Sequence, residues 1–179
     1  MIYDTIFKGE DGLYHVHVFT DERKRNFIQL DDVTIADTMN DITIDVDASE
    51  KIDTIHEANI QNAIESSESW FGKTVSEKTI RAAYMRDENL TTELIDQTKV
   101  FSFDKESLEI ESLQPGMKCS VIVEFHELWF AKKAFGPAWN IVQVRLNKPD
   151  EPEKEKFDNT YPADYMFGDD QWKKIVCSI

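Results

Sequence analysis

The stretch from Lys118 to Leu146 constrains the fold most. Lys118 to Phe130 is a long strand pattern, with Cys119, Val121, Val123 and Phe125 on one face and Ile122, Leu128 and Phe130 partly covering the other. Trp139 to Leu146 continues in the same manner, and Gly136-Pro137 between them reads as a turn. The block is expected to be a β-hairpin. Its tip and inner ends carry the rings of Trp129, Phe130, Phe135 and Trp139 beside Lys132 and Lys133.

The rest of the chain supplies partners for that hairpin. Strands are expected at Leu13 to Phe19, Phe27 to Leu30 and Ile42 to Val46, with the acidic stretch from Asp31 to Asp41 as a loop. Ile55 to Phe71 sets Ile60, Ile64 and Phe71 near one helix face, and Gly72 fits its stop. Ser76 is an N-cap for a second short helix ending near Met85 to Asp87, with Val75 and Ile80 as its hydrophobic staple. Short strands follow at Val100 to Phe103 and Leu108 to Ile110, then a Gln114-Pro-Gly116 turn.

Strands, two helices, then strands define the α+β class. The expected architecture is a small antiparallel β-barrel (OB-like), with a two-helix insertion near 55–86 and a C-terminal extension. The domain is expected to span 1–146. Residues 147–156 are charged and contain proline, which reads as a linker. Residues 157–179 hold Tyr161, Tyr165, Phe167 and Trp172 and are expected to dock on the domain or on a partner.

Charge sets the main constraint on partners. The formal net charge is −15, which opposes approach to phosphate. Its distribution is uneven. Residues 1–57 hold 14 acids against 5 Lys/Arg, whereas 117–146 hold 2 acids against 4. The aromatic hairpin is thus a locally basic part of an acidic chain. Binding there is expected to be modest and strongly salt-dependent. No apolar run approaches the ~18 residues of a membrane helix, and no secretory pattern opens the chain, so an intracellular setting without membrane contact is expected. Cys119 and Cys177 form no CxxC, so neither a zinc site nor a disulfide framework is expected.

Flat rings stack on unpaired bases and cations meet the backbone, which suits single-stranded nucleic acid. Trp129, Phe130, Phe135 and Trp139 are the candidate rings, and Lys132, Lys133, Arg145 and Lys118 the candidate phosphate contacts. Lys73 and Arg81 are placed to extend a groove, while Trp70, Phe71 and Tyr84 are expected to lock the helices onto the barrel. The competing reading makes the hairpin rings core. Exposure of Trp129 and Trp139 separates the two.

Catalytic chemistry finds no support. His15, His17, His56 and His126 lack metal-ligand spacing, since His15-x-His17 has no evident third ligand. Asp45-x-Asp47 lacks the accompanying lysine of a magnesium nuclease. There is no phosphate-binding loop, no GxSxG and no Cys–His pair. No enzyme activity, cofactor, metal or small-molecule substrate is expected.

The pattern Trp70-Phe71-Gly72-Lys73, Ile80 and Tyr84, Leu128-Trp129-Phe130, Phe135-Gly136, Trp139 and Gln143-Val144 resembles the single-stranded-DNA-binding proteins of nucleocytoplasmic large DNA viruses, of the African swine fever virus and giant-virus type. The resemblance covers roughly residues 60–146. It implies an OB-like fold and sequence-tolerant, non-enzymatic binding of single-stranded DNA in viral replication, recombination or repair. The setting it implies is the host cytoplasm or nucleus. Replication proteins are expected to meet the acidic surface or the C-terminal segment. The alternative from another class is an acidic protein-interaction module with buried hairpin aromatics.

Overall fold

The computed structural model describes residues 1–46, 49–86 and 88–148. The expected linker 147–156, apart from Asn147 and Lys148, and the aromatic segment 157–179 lie outside the described residues. The elements are β1 (Ile2–Tyr3), β2 (Phe7–Lys8), β3 (Tyr14–Phe19), β4 (Asn26–Asp37), β5 (Ile42–Asp45), α1 (Glu50–Glu65), α2 (Ser67–Phe71), α3 (Glu77–Ala83), β6 (Asn89–Phe101), β7 (Ser107–Leu108), β8 (Lys118–Phe130) and β9 (Phe135–Leu146), with a 3-10 turn at Ile110–Ser112.

Five strands close on themselves. β8 pairs with β4, β4 with β5 and β5 with β6, all antiparallel. β6 then pairs with β9 in parallel, and β9 returns antiparallel to β8. This closed Greek-key ring is the OB architecture, with α1 to α3 inserted between its second and third strands. The ring is not a regular barrel, because the β6–β9 register jumps between Leu94 and Lys99. Thr98 patches that break. Its Oγ1 donates to the Ile141 carbonyl at 2.6 Å and accepts from the Ile95 amide at 3.1 Å. Beyond the ring, β3 pairs with the far half of β8, and β1 and β2 pair with β3.

Two bulges explain where simple alternation misleads. On β8, Cys119, Val121, Val123 and Phe125 face the core; the register shifts before Glu127, and Leu128 and Phe130 then face it. One extra residue flips the phase, so these six side chains share one face. On β4, Ile28 and Leu30 point inward, and a shift around Asp32, at φ 53°, brings Val33 and Ile35 inward next. The acidic stretch from Asp31 is therefore strand as far as Asp37 rather than loop. The acid pair hides a period that simply changes phase.

The other corrections are smaller. The insertion holds three helices, since α1 breaks at Ser66 and α2 follows at once. α1 begins at Glu50, before the expected Ile55, and α3 ends at Ala83, before the expected Met85. β6 starts at Asn89 and contains polar residues that the outer face of a ring accepts, so the expected strand at Val100 was only its end. Gly72 does end α2 in the left-handed region at φ 68°, and Ser76 caps α3 by accepting from the Thr79 amide.

α1 turns Ile52, Ile55, Ile60 and Ala63 into the core and carries a buried polar chain. The Tyr3 hydroxyl donates to Asn59 Oδ1 at 2.7 Å. Asn59 Nδ2 donates to the Tyr84 oxygen at 3.0 Å, and Tyr84 meets His56 Nδ1 at 2.7 Å. Burial pushes both phenols well above their usual range, keeping them neutral donors. The chain ties β1 and the end of α3 to α1. Asn59→Leu keeps the branched shape but strands the Tyr3 hydroxyl, so chemical denaturation should show a loss of about 1–3 kcal/mol. Adding Tyr3→Phe should return part of it.

Candidate nucleic-acid interface

The hairpin turn sits earlier than the sequence suggests. The Ala131 amide donates to the Ala134 carbonyl at 2.8 Å, so Lys132 and Lys133 form the tip. Gly136 and Pro137 lie inside β9, opposite Trp129 and Leu128. Pro137 is tolerated because the Tyr84 bridge reaches only Phe135 and pairing with β6 begins only at Asn140, so no strand on that side calls for an amide at Pro137. Gly136 serves packing rather than turning. A Cβ on it would stand 3.1 Å from Trp129 Cζ2 and 3.1 Å from Met85 Cβ.

The rings divide unequally. Phe135, Trp139 and Phe130 are 1%, 3% and 6% exposed, so they are core and cannot offer faces to bases. Phe130 and Phe135 stack on each other at 5.5 Å, with Phe71 edge-on to both. Trp139 packs on Phe125 at 5.0 Å. The stacking role expected of these three is corrected by that burial. Trp129 alone of the four is partly exposed. Strand alternation puts it on the opposite face from Phe130.

The positive charge converges better than the rings do. Lys132 and Lys133 from the tip meet Lys73 from the α2–α3 connection around a groove of about 300 Å³. Phe71, Val75 and Phe135 contribute to its apolar lining, and no carboxylate lines it. The sequence reading had Lys132 and Lys133 at the tip and Lys73 as an extension; the fold joins them. Arg81 instead pairs with Glu57 and Glu77. Arg145 and Lys118 lie at the other end of the hairpin, about 33–40 Å away along the strands. They do not join the tip groove. Arg145 lines a separate depression on the outer sheet face with Gln29, Phe101, Lys105 and Gln143, residues the sequence reading missed.

The face of the second and third ring strands is the one OB proteins commonly use. Here it is unsuited to phosphate. Its outward side chains, Thr43, Asp45, Asn89, Thr91 and Glu93, include two carboxylates and no cation.

β3 and β8 also bring together histidines and carboxylates. His15 Nδ1 lies 2.8 Å from Glu127 and its Nε2 3.1 Å from Asp11, while His17 lies 3.5 Å from Glu127. Burial pushes His15 down, but the hydrogen bonds to Asp11 and Glu127 outweigh it and hold its pKa above the ordinary value. Burial likewise raises Glu127, and the hydrogen bonds and charges of His126 and His15 bring it below the usual carboxylate range. The His15 contribution is full below about pH 6.5 and fades as pH rises through its elevated folded pKa. The Glu127 contribution is present above about pH 4.3 and fades as pH falls through its depressed one. Thermal midpoints should therefore fall from pH 6 to pH 8 more in the wild type than in His15→Gln. Among the described residues no three His, Cys, Asp or Glu are placed to hold a metal ion, and no helix is long and apolar enough to cross a membrane.

The fold and its basic tip define an OB-type α+β domain. By its sequence the chain belongs to the family described as "Family of unknown function (DUF5871)", which matches residues 31–169. No curated protein matches. Among solved structures the chain is similar to the single-stranded DNA-binding protein from bacteriophage Enc34, at 13% identity and TM-score 0.46, over 88% of this chain and 96% of that one. A C-terminal truncation of the phage protein gives 14% identity and TM-score 0.49, over 86% and 97%. The same protein in complex with ssDNA gives 13% and 0.43, over 83% and 97%.

Proposed function

We propose that this chain binds single-stranded DNA without catalysing a reaction on it. The observation that carries the reading is the tip groove. Lys73, Lys132 and Lys133 surround an apolar floor free of carboxylates, at the hairpin end of an OB ring. The lysines take the backbone, and the exposed part of Phe71 takes a base face, which a duplex keeps stacked inside. The acidic remainder repels random collapse onto duplex and faces protein partners. In line with the viral resemblance, the role is in viral DNA replication, recombination or repair, at replication sites in the host cytoplasm or nucleus. Replication proteins are the partners of the acidic surface or the C-terminal segment.

Lysine-reactive footprinting tests the site. Adding a single-stranded oligonucleotide should protect Lys73, Lys132 and Lys133 while leaving Lys78 on α3 reactive. Bound oligonucleotide with all three still reactive overturns the assignment.

A second reading draws on the burial of Phe130, Phe135 and Trp139 and on the acidic β5–β6 face. In it the chain is a protein-interaction module whose acidic face receives a basic partner. Absence of single-strand binding at low salt would favour it.

A further inference from the structure

At the far end of the hairpin, the outer faces of β4, β8 and β9 form a depression of about 310 Å³. That is the lower end of the range for small-ligand pockets, about 300–1,000 Å³. Pairing builds it in rows. Gln29, Ile122 and Gln143 are register partners across the three strands. Ser120, Arg145 and Phe101 form the neighbouring row. Lys105, from the turn between β6 and β7, also lines it.

Two further exposed rings come from the strand and the turn that supply Gln29 and Lys105. Phe27 follows Gln29's side of β4 one row on, at 54% exposure, and Phe103 in the β6–β7 turn is 46% exposed. The Phe101 ring beside Arg145 suits a flat ligand with a π face and a nearby negative group. A nucleotide has both.

The polar groups specify more. Gln29 Nε2 donates to Asp31 Oδ1 at 2.9 Å, which fixes the amide and leaves its oxygen as an acceptor. Hydrogen bonds from Gln29 and Ser120, then the charges of Lys51 and Arg145, hold the Asp31 carboxyl below its usual range, so it stays ionised and keeps the Gln29 amide in place. The Gln143 amide is exposed and has no partner among the described residues. The fixed Gln29 oxygen matches an exocyclic amine, and the unpartnered Gln143 amide can turn its own oxygen toward the same group. Adenine and cytosine carry one; thymine presents a carbonyl oxygen in its place.

We propose that this depression is a nucleobase pocket that prefers amine-bearing bases, so that the chain binds adenine- and cytosine-containing single strands more tightly than thymine-only ones. The inference rests on the single-strand reading above but uses residues distant from the tip groove. Arg145 and Lys105 hold the adjoining phosphate, Phe101 offers a wall for the ring, and Gln29 and Gln143 meet its edge, with Asp31 holding the Gln29 amide.

The test is fluorescence anisotropy of the full chain with labelled dA, dC and dT homopolymers of equal length. The wild type should bind dA and dC about tenfold more tightly than dT, in the range of base discrimination by a good hydrogen-bonded pair. Gln143→Ala, an exposed position, should bring the ratio near one with an unchanged thermal midpoint. Lys132→Ala/Lys133→Ala should weaken all three alike and keep the ratio. If the wild type binds all three within about twofold, or if the preference survives both Gln143→Ala and Gln29→Ala, the pocket is refuted and the single-strand reading stands. If it binds none, the reading beneath the pocket falls with it.

Discussion

Phe135→Ala is expected to lower the folding free energy by about 3–5 kcal/mol, the usual cost of emptying a large buried aromatic site. Phe135 is 1% exposed and has ring neighbours on several sides. Phe130 stacks at 5.5 Å, Phe71 meets it edge-on at 5.7 Å and Tyr84 at 5.2 Å. These rings come from β8, α2 and the end of α3, so the cavity would open where the helical insertion meets the hairpin. Urea denaturation reads the effect directly. A loss under about 1 kcal/mol would show that the rings do not form one packed unit. Any binding defect in this variant has to be judged against its folded fraction. Trp129→Ala, at a partly exposed position, should cost less.

Charge reversal of the tip should have the largest effect on binding. Replacing Lys73, Lys132 and Lys133 together by Glu is expected to weaken binding at low salt by at least about 100-fold, since three phosphate contacts become three repulsions. All three side chains are exposed, so the fold should survive. The corresponding Ala variant isolates the contacts from the repulsion. Its dependence of log K on log salt should flatten by about 2, three contacts at ~0.7 each for a single strand. An unchanged slope would place the backbone elsewhere. In a chain of net charge −15, a carboxylate-free groove is where such a loss would be felt most.

Much of this fold is legible in the sequence because burial imposes a period. β8 runs from Lys118 to Phe130 as its alternation indicates, and Gly72 and Ser76 bound the helices through backbone needs that few residues meet. The misreadings share one cause. A bulge changes phase without any marker in composition, so Asp31 to Asp37 looked like loop, and Leu128 and Phe130 looked like a second face. Gly136-Pro137 carried the composition of a turn, but its glycine answers the approach of Trp129 and Met85, a contact that only the folded chain makes.

The site was half legible for similar reasons. Lys132 and Lys133 are local to the tip, whereas Lys73 reaches them only because α2 and α3 pack against the hairpin. An aromatic-rich strand reads alike whether its rings face solvent or core. Tertiary packing decided that three of the four are core. The outer-face depression was invisible because its rows join residues as distant as Gln29, Ile122 and Gln143 through strand register.

The most direct measurement is a salt titration of wild-type binding to a labelled mixed-sequence single strand and to its duplex, followed by anisotropy. The account predicts single-strand binding that outcompetes duplex at every salt concentration and weakens steeply as salt rises. Equal affinity for the two forms, or no binding at the lowest salt, would contradict it.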